Sequence, residues 1–534
     1  MPTKFIVVLG SIMSGLGKGV VSSSIMKILD MYNFKVLPIK FDGYLNYDCG
    51  TMNPYRHGEV FVLDDKGEVD MDFGTYERFL NKNLTSSSSI TGGKLFGSII
   101  EKERKGEYLG EDVQVIPHLT NEIQEKVKDF AIKNKLDFVV IEVGGTVGDI
   151  ENGYFIEAMR QLSLKEEVIF VDVTYVPRLK TVGEQKSKPT QSAFRALMGM
   201  GIMPNFLICR TDGEMSEGIK KKLAMFTSLD ENRVINDPDM DSPYQLPQYL
   251  IDQNFDKILL KSLKLPNKKI NRQKFAKWSR DVGKITSKDG KNITVAVVGK
   301  YVELKDSYVS VKEALMHAAG KLSINLNIKW IESELLEKSD PSVVLKGIKG
   351  LVVPGGFGKR GIEGMITAIK YARENKIPYL GLCLGMQLMA VEFARNVCGL
   401  KGANSTEFDP KTKYNIIDIL PSQVSIKQKG GTMRLGAWDM VIKNKDSIAF
   451  SSYNKKVVSE RHRHRYEFNN KFGKTLENSG LKVTATTTDN KLVEIIEWPI
   501  GFGVATQAHP ELKSRIESPA PLFLSFLSAS KDIS

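Results

Sequence analysis

Through its first half the chain repeats one pattern, a short apolar run followed by a longer amphipathic stretch. The runs Phe5–Leu9, Val36–Ile39, Phe138–Ile141, Val168–Val173 and Phe206–Ile208 are nearly continuous in apolar residues, which predicts strands buried on both faces of a parallel sheet. A charged stretch between Lys261 and Lys291, with Lys268, Lys269, Arg272, Lys274, Lys277 and Arg280, then breaks the pattern and reads as a solvated linker. Beyond it a second series begins at Ile293–Val298, Ile324–Trp330, Gly350–Val353 and Pro378–Leu380. Ile324–Trp330 alternates apolar with polar positions, as a strand nearer an edge would. The expected fold class is α/β, with a parallel-sheet domain over 1–266, a basic linker over 267–292 and a second α/β domain over 293–534.

A length of 534 residues exceeds what one ordinary core supports. The 42% hydrophobic and 26% charged content is that of a globular protein. Four cysteines in so long a chain suit a reducing compartment, and Met1–Gly10 reads as a first strand rather than a leader. No apolar stretch reaches the length of a membrane span, so a cytoplasmic protein with no membrane partner is expected. The net charge of +12 invites a nucleic-acid reading, but neither zinc-finger spacing nor an RNA-binding aromatic signature accompanies it. Polyphosphate ligands account for the charge as well, and no nucleic-acid partner is expected.

The most informative chemistry is Gly381-Leu382-Cys383-Leu384-Gly385, between the apolar run Ile377–Leu380 and a helical-looking run Met386–Val397. Strand, sharp turn and helix make a nucleophile elbow, here with a cysteine. The flanking glycines permit a strained turn that projects the sulfur and lets nearby N–H groups cradle an oxyanion. Downstream, His509-Pro510-Glu511 closes a second apolar run, Gly503–Ala508, and its spacing of two sets base and acid on one side of an extended segment. Cys383, His509 and Glu511 together predict thiol acyl transfer. Cys49, Cys209 and Cys398 lack any such setting and read as structural.

At the other end, strand Phe5–Leu9 runs through Gly10, Ser14, Gly15, Leu16, Gly17, Lys18 and Gly19 into a predicted helix, Val20–Met31. Backbone N–H groups, a helix N-terminus and Lys18 predict phosphate binding. The loop lacks a hydroxyl after its lysine, so a magnesium ion needs other ligands. Asp72 and Glu142 suit that role, and spacing leaves Asp70 open beside Asp72. The glycine turn Gly144–Gly148 with Asp149 and Glu151, and the cluster Lys186–Gln191, suggest a second polar pocket at the same sheet edge.

Several long strings resemble the CTP synthase family. They are Ser14–Gly19, Gly50–Pro54 with His57–Val60, Glu142–Glu151, Lys186–Gln191, Gly355–Gly358, Gly381–Gln387, Arg461–Glu467 and His509–Glu511, in the family's order from about residue 3 to about 527. The resemblance implies a P-loop-like synthetase domain followed by a class I glutamine amidotransferase domain. ATP would phosphorylate the 4-oxygen of UTP, and ammonia from glutamine would displace the phosphate through an internal passage. It implies that Cys383 is the nucleophile, His509 the base and Glu511 its orienting acid. Gly356, Leu384, Gly385, Met386, Gln387, Glu407 and Arg465 would hold glutamine. Gly15, Leu16, Gly17, Lys18, Gly19, Val20, Lys40, Asp72, Pro238, Asp239 and Met240 would hold ATP, and Asp72 and Glu142 would hold Mg2+, with no organic cofactor. Ser14, Asp149, Ile150, Glu151, Lys186, Ser187, Lys188, Pro189, Thr190, Gln191 and Lys222 would contact UTP or the inhibitor CTP. GTP activation, a homotetramer and filaments complete what the family implies. Phe41–Tyr44, Thr91–Lys94 and Arg515–Pro521 depart from the family pattern without removing a catalytic group. A partitioning-type ATPase would use the lysine loop but leave the cysteine elbow without purpose, whereas a glutamine-dependent ligase with another acceptor shares the same motifs.

Overall fold

The computed structural model of the protein describes residues 2–179, 181, 183–423 and 430–533. They form two compact units, Met1–Asp48 with Thr75–Val282, and Cys49–Gly74 with Gly283–Ser534. No helix among the described residues is long and apolar enough to cross a membrane.

The first unit is built on seven strands: β1 (Lys4–Gly10), β2 (Val36–Asp42), β3 (Ser89–Thr91), β4 (Phe138–Val143), β5 (Val168–Tyr175), β6 (Phe206–Thr211) and β7 (Val234–Pro238). All pairs are parallel, in the order β7-β6-β5-β1-β4-β2-β3. Every residue of β1 is buried, as expected of a central strand covered on both faces. Helix α1 (Lys18–Met31) follows β1 directly, as the glycine loop predicts. The order of strands reverses around β1, so the crevice at the carboxyl ends of β1, β4 and β5 is where such a sheet takes a ligand. Later helices used below are α2 (Asp72–Leu80), α3 (Lys188–Gly199) and α4 (Arg272–Thr286).

Helix α4 occupies the stretch that the charges mark as a linker. Trp278 is 1% exposed, donates to the Tyr244 carbonyl at 3.2 Å and carries the Lys27 ammonium 4.4 Å above its ring. Trp278 and Val282 are buried at helical spacing, while the basic residues face outward. The run of charge is the outer face of a packed helix.

The second sheet has nine strands: β8 (Lys291–Gly299), β9 (Ile324–Glu332), β10 (Gly350–Val353), β11 (Tyr379–Leu382), β12 (Arg434–Ile442), β13 (Val457–His464), β14 (Lys482–Thr487), β15 (Val493–Glu497) and β16 (Gly503–Thr506). Their order is β9-β8-β10-β11-β16-β15-β14-β12-β13. The strands from β9 to β16 are parallel and the remainder antiparallel, and β9 lies at an edge as its alternation predicts. Residues 49–74 belong to this unit, contrary to the domain boundaries expected from sequence. Their hairpin, Phe61–Val62 with Glu68–Val69, is fastened by Arg461 to Asp64 at 2.6 Å and by Arg463 to Glu68 at 2.8 Å.

Beside that fastening, Glu494 accepts from Arg434 at 2.6 Å and lies 2.8 Å from His462, all three buried. Burial alone would raise the Glu494 pKa, but His462 and Arg434 beside it outweigh burial and hold the carboxyl down at about 2, while burial shifts His462 itself below the usual imidazole range. A depressed folded-state pKa contributes stability above the ordinary carboxylate range, and that stability is lost as pH falls towards the folded value. Between pH 5 and pH 3 the melting temperature of this unit should therefore fall. Glu494→Gln should lower it at pH 7 by on the order of 5 °C and flatten the acid slope, followed by tryptophan fluorescence. An unchanged slope in the variant would remove Glu494 as its source.

Candidate functional site

Cys383 sits between β11 and the following helix, α5 (Leu384–Asn396), as its N-cap, 4% exposed. Its own backbone takes φ +51°, ψ −97°, a strained conformation for a residue with a side chain. The flanking glycines serve a purpose other than the one their flexibility suggests, because neither Gly381 nor Gly385 has a positive φ. A Cβ on Gly385 would lie 2.1 Å from the Val353 carbonyl oxygen, and one on Gly381 2.7 Å from the Tyr379 hydroxyl. Their small size lets α5 drop onto β10, and the strain falls on the cysteine.

The triad expected from sequence is assembled. His509 Nδ1 lies 2.7 Å from Glu511 Oε1, and the ring and Cys383 flank Gly355 together. Burial would depress the His509 pKa, yet Glu511 and Cys383 together push it well above the usual value. A histidine so flanked holds the proton that the thiol gives up. The main chain of β13 backs the site, where the Arg461 carbonyl accepts from His509 N–H at 2.7 Å. Gln507, which sequence reasoning missed, donates to Cys383 Sγ at 3.5 Å and accepts from Gln387 at 3.3 Å.

Of the residues expected around a glutamine, Gly356 lines a cavity with Cys383, and Leu384, Gly385, Met386 and Gln387 follow the thiol on α5. Gly356 lies beside Leu384, and the Gly358 N–H donates to Glu407 at 2.8 Å. Leu384, Gly385 and Met386 form the first turn of α5, where the Met386 N–H donates to the Cys383 carbonyl at 3.1 Å. Arg465 donates to Gln423 and to Thr432. A cavity reaches from Cys383 and His509 past Gly355, Gly356 and Phe357 to Pro54, Val60 and Val62 of the inserted hairpin segment. Within residues 49–74 the sequence singled out Gly50–Pro54, His57–Val60, Asp70 and Asp72, without pointing to their place in this unit.

At the first sheet, Ile12, Gly15 and Gly17 have positive φ, and Lys18 opens α1 with its ammonium on the Gly145 carbonyl at 2.8 Å. The Lys18 side chain runs over Gly10, where a Cβ would come within 2.6 Å of it. Ser14, Leu16, Gly19 and Val20 complete this loop and first turn. Lys40 and Glu142 are register partners on β2 and β4 and form a buried ion pair at 2.9 Å, with the Tyr76 hydroxyl also on Glu142. Asp72 opens α2 and its N–H is held by Asp70 at 2.9 Å, so Asp70 is a capping partner of the backbone. Asp72 lies in the second unit and Glu142 in the first. Among the described residues no group of three His, Cys, Asp or Glu stands ready to hold a metal. Buried or strand-end carboxylates supply the hard oxygen donors that magnesium takes, and phosphates and water ordinarily provide its remaining ligands.

Asp149 caps the turn after β4, accepting from Thr146 N–H at 2.8 Å, and leaves Ile150 92% exposed and Glu151 exposed beside it. Lys186, Ser187 and Lys188 line a cleft of about 580 Å³ together with Lys222 and with Arg178, a cation not anticipated from sequence. Pro189, Thr190 and Gln191 form the first turn of α3, where Thr190 donates to the Tyr175 carbonyl at 2.9 Å. Pro238 ends β7, and Arg210 binds its carbonyl at 3.0 Å and Asp239 at 2.6 Å, which fixes the turn before Met240.

A family model described as the CTP synthase N-terminus matches residues 4–265, and one for class-I glutamine amidotransferases matches residues 303–529. CTP synthases of Pyrococcus furiosus and Clostridium acetobutylicum are 48% and 47% identical to the chain, each alignment covering 99% of it and 98% of the relative. The solved glutaminase domain of Trypanosoma brucei CTPS with bound acivicin is 38% identical, over 45% of this chain and 95% of that one, with a TM-score of 0.43.

Proposed function

The chain belongs to the CTP synthase family, and from that premise we propose that it aminates UTP to CTP at the expense of ATP, with nitrogen taken from glutamine. What supports the division of labour is one chain carrying a thiol triad at the elbow of one unit and a lysine-bearing phosphate loop at the sheet edge of the other.

At the thiol site, His509 takes the Cys383 proton as sulfur adds to the glutamine amide carbon, and the N–H groups of Gly356 and Leu384 receive the developing oxyanion. The proton passes to the departing ammonia, and water then cleaves the thioester to give glutamate and free thiol. Glu511 holds the imidazole and balances its charge. Glu407 suits the ammonium of glutamine and Arg465 its carboxylate. In the first unit Lys18 and Lys40 steady the transferring phosphoryl group as the 4-oxygen of UTP attacks it. Ammonia then adds at C4 and phosphate leaves. Glu142 would hold magnesium, whose charge offsets that of the phosphates. The cavity from Cys383 towards Val60 is the start of a route for neutral ammonia. GTP activation of glutamine hydrolysis, CTP inhibition through Asp149–Glu151 and a cytosolic homotetramer belong to the same proposal.

The deciding assay follows the absorbance change from UTP to CTP with ATP and magnesium, using glutamine or ammonium as donor. Turnover with both, the glutamine route rising with GTP, is the expected result; turnover with neither would overturn the proposal. The cation cleft gives a second expectation. Lys222→Ala should raise the KM for UTP by about 10-fold with little change in kcat, as loss of one charge-assisted phosphate contact does. A UTP titration on ammonium checks it, and an unmoved KM would place the pyrimidine nucleotide elsewhere.

A further inference from the structure

Lys300 is a buried cation that neither the triad nor the phosphate loop uses. It follows β8, is 1% exposed, and donates from its ammonium to the carbonyls of Phe357, at 3.2 Å, and Gly358. The N–H of the same Phe357–Gly358 peptide donates to Glu407 Oε1 at 2.8 Å. One peptide plane is thus held at its oxygen by a cation and at its nitrogen by an anion. Lys300 is itself fixed. Its N–H donates to the Tyr308 hydroxyl at 3.1 Å, and its carbonyl accepts from Tyr55 at 2.6 Å and from Arg360. The Phe408 ring, next to Glu407, lies 5.5 Å from the ammonium.

The gripped peptide belongs to the loop that closes over Cys383. A Cβ on Gly355 would stand 2.8 Å from His509 Cε1, and one on Gly356 3.4 Å from Leu384 and 3.6 Å from Lys300. If Glu407 binds the ammonium of a substrate amino acid, its charge is shared between that ammonium and the Gly358 N–H, and the loop's anionic anchor weakens. The Lys300 anchor on the Phe357 and Gly358 carbonyls is not shared in this way. Burial works against both charges, lowering the Lys300 pKa to about 8 and raising that of Glu407, and each partially restores the other. A lysine kept buried at such a cost is retained for what it holds.

We infer that Lys300 is a positioning residue for glutamine hydrolysis, which keeps the Gly355–Gly358 backbone set for the oxyanion while Glu407 is engaged by substrate. The inference rests on the reading of the cysteine site given above and deepens it.

Lys300→Met keeps the apolar stem and removes the charge. It should lower kcat for glutamine hydrolysis by roughly 10- to 100-fold with KM changed much less, because the groups affected act on the transition state. Lys300→Arg, which restores a cation, should recover part of the loss. Alkylation of Cys383 by iodoacetamide develops no oxyanion, so its rate should stay within about two-fold in Lys300→Met. Full glutamine turnover in Lys300→Met would overturn the inference. So would alkylation slowing in parallel with hydrolysis, which would mark a collapsed site instead of a displaced loop. Failure of the unmodified enzyme to hydrolyse glutamine at all would overturn the underlying reading and the inference with it, and the two failures are told apart by which enzyme fails.

Discussion

Cys383→Ala abolishes CTP formation from glutamine, by at least about 10⁴-fold, while CTP formation from added ammonium continues at the rate of the unmodified enzyme. The expectation follows from what the sulfur does. No other described nucleophile stands beside the His509–Glu511 pair, so glutamine has no route to an acyl intermediate. The phosphate loop in the first unit has no need of the sulfur once ammonia is supplied directly. Alanine fills less space than cysteine and leaves the backbone at φ +51° no worse off, so the elbow should persist. Parallel assays with the two nitrogen donors check this. Loss of both activities in the variant would refute separate sites for ammonia production and ammonia use.

Lys18→Met has the opposite signature, a loss of about 10³-fold or more with either donor. Its ammonium is the charge that α1 presents at its first residue, supported on the Gly145 carbonyl. Without it the phosphoryl group that activates the 4-oxygen loses a preorganised cation, and no leaving group forms for ammonia to displace. Glutamine hydrolysis without UTP turnover should remain measurable in this variant, since Cys383, His509 and Glu511 are untouched. Ammonium-dependent CTP formation surviving at more than a tenth of the normal rate would mean that the loop does not serve phosphoryl transfer.

Much of this arrangement was legible because burial leaves a simple mark on sequence. Strands such as Phe138–Val143 are sealed on both faces, so they read as continuous apolar runs, and β9 at the sheet edge reads as an alternating one. The elbow was legible because glycine is required where α5 meets β10, although the reason lies in crowding and not in torsion. The chain was misleading where charge stands on a packed face. Helix α4 hides Trp278 beneath lysines and arginines that resemble a solvated linker. Lys300 and residues 49–74 were illegible for another reason, since their meaning lies in partners remote in sequence. Glu407 is more than a hundred residues from Lys300, and Arg461 is 397 from Asp64.

The fastening of Asp64 and Glu68 to β13 also bears on how the chain is made. The hairpin leaves the ribosome almost 400 residues before the arginines that receive it, about 20 to 80 s at ordinary synthesis rates. Until then Asp64 and Glu68 cannot form their ion pairs with Arg461 and Arg463, and the closing loop is among the longest whose entropy the chain must overcome. Neither compact unit is a continuous stretch of polypeptide, so the second unit gains its hairpin contacts from a segment synthesised far earlier in the chain. A gene fragment starting near residue 283 would lack the Asp64 and Glu68 carboxylates that Arg461 and Arg463 bind.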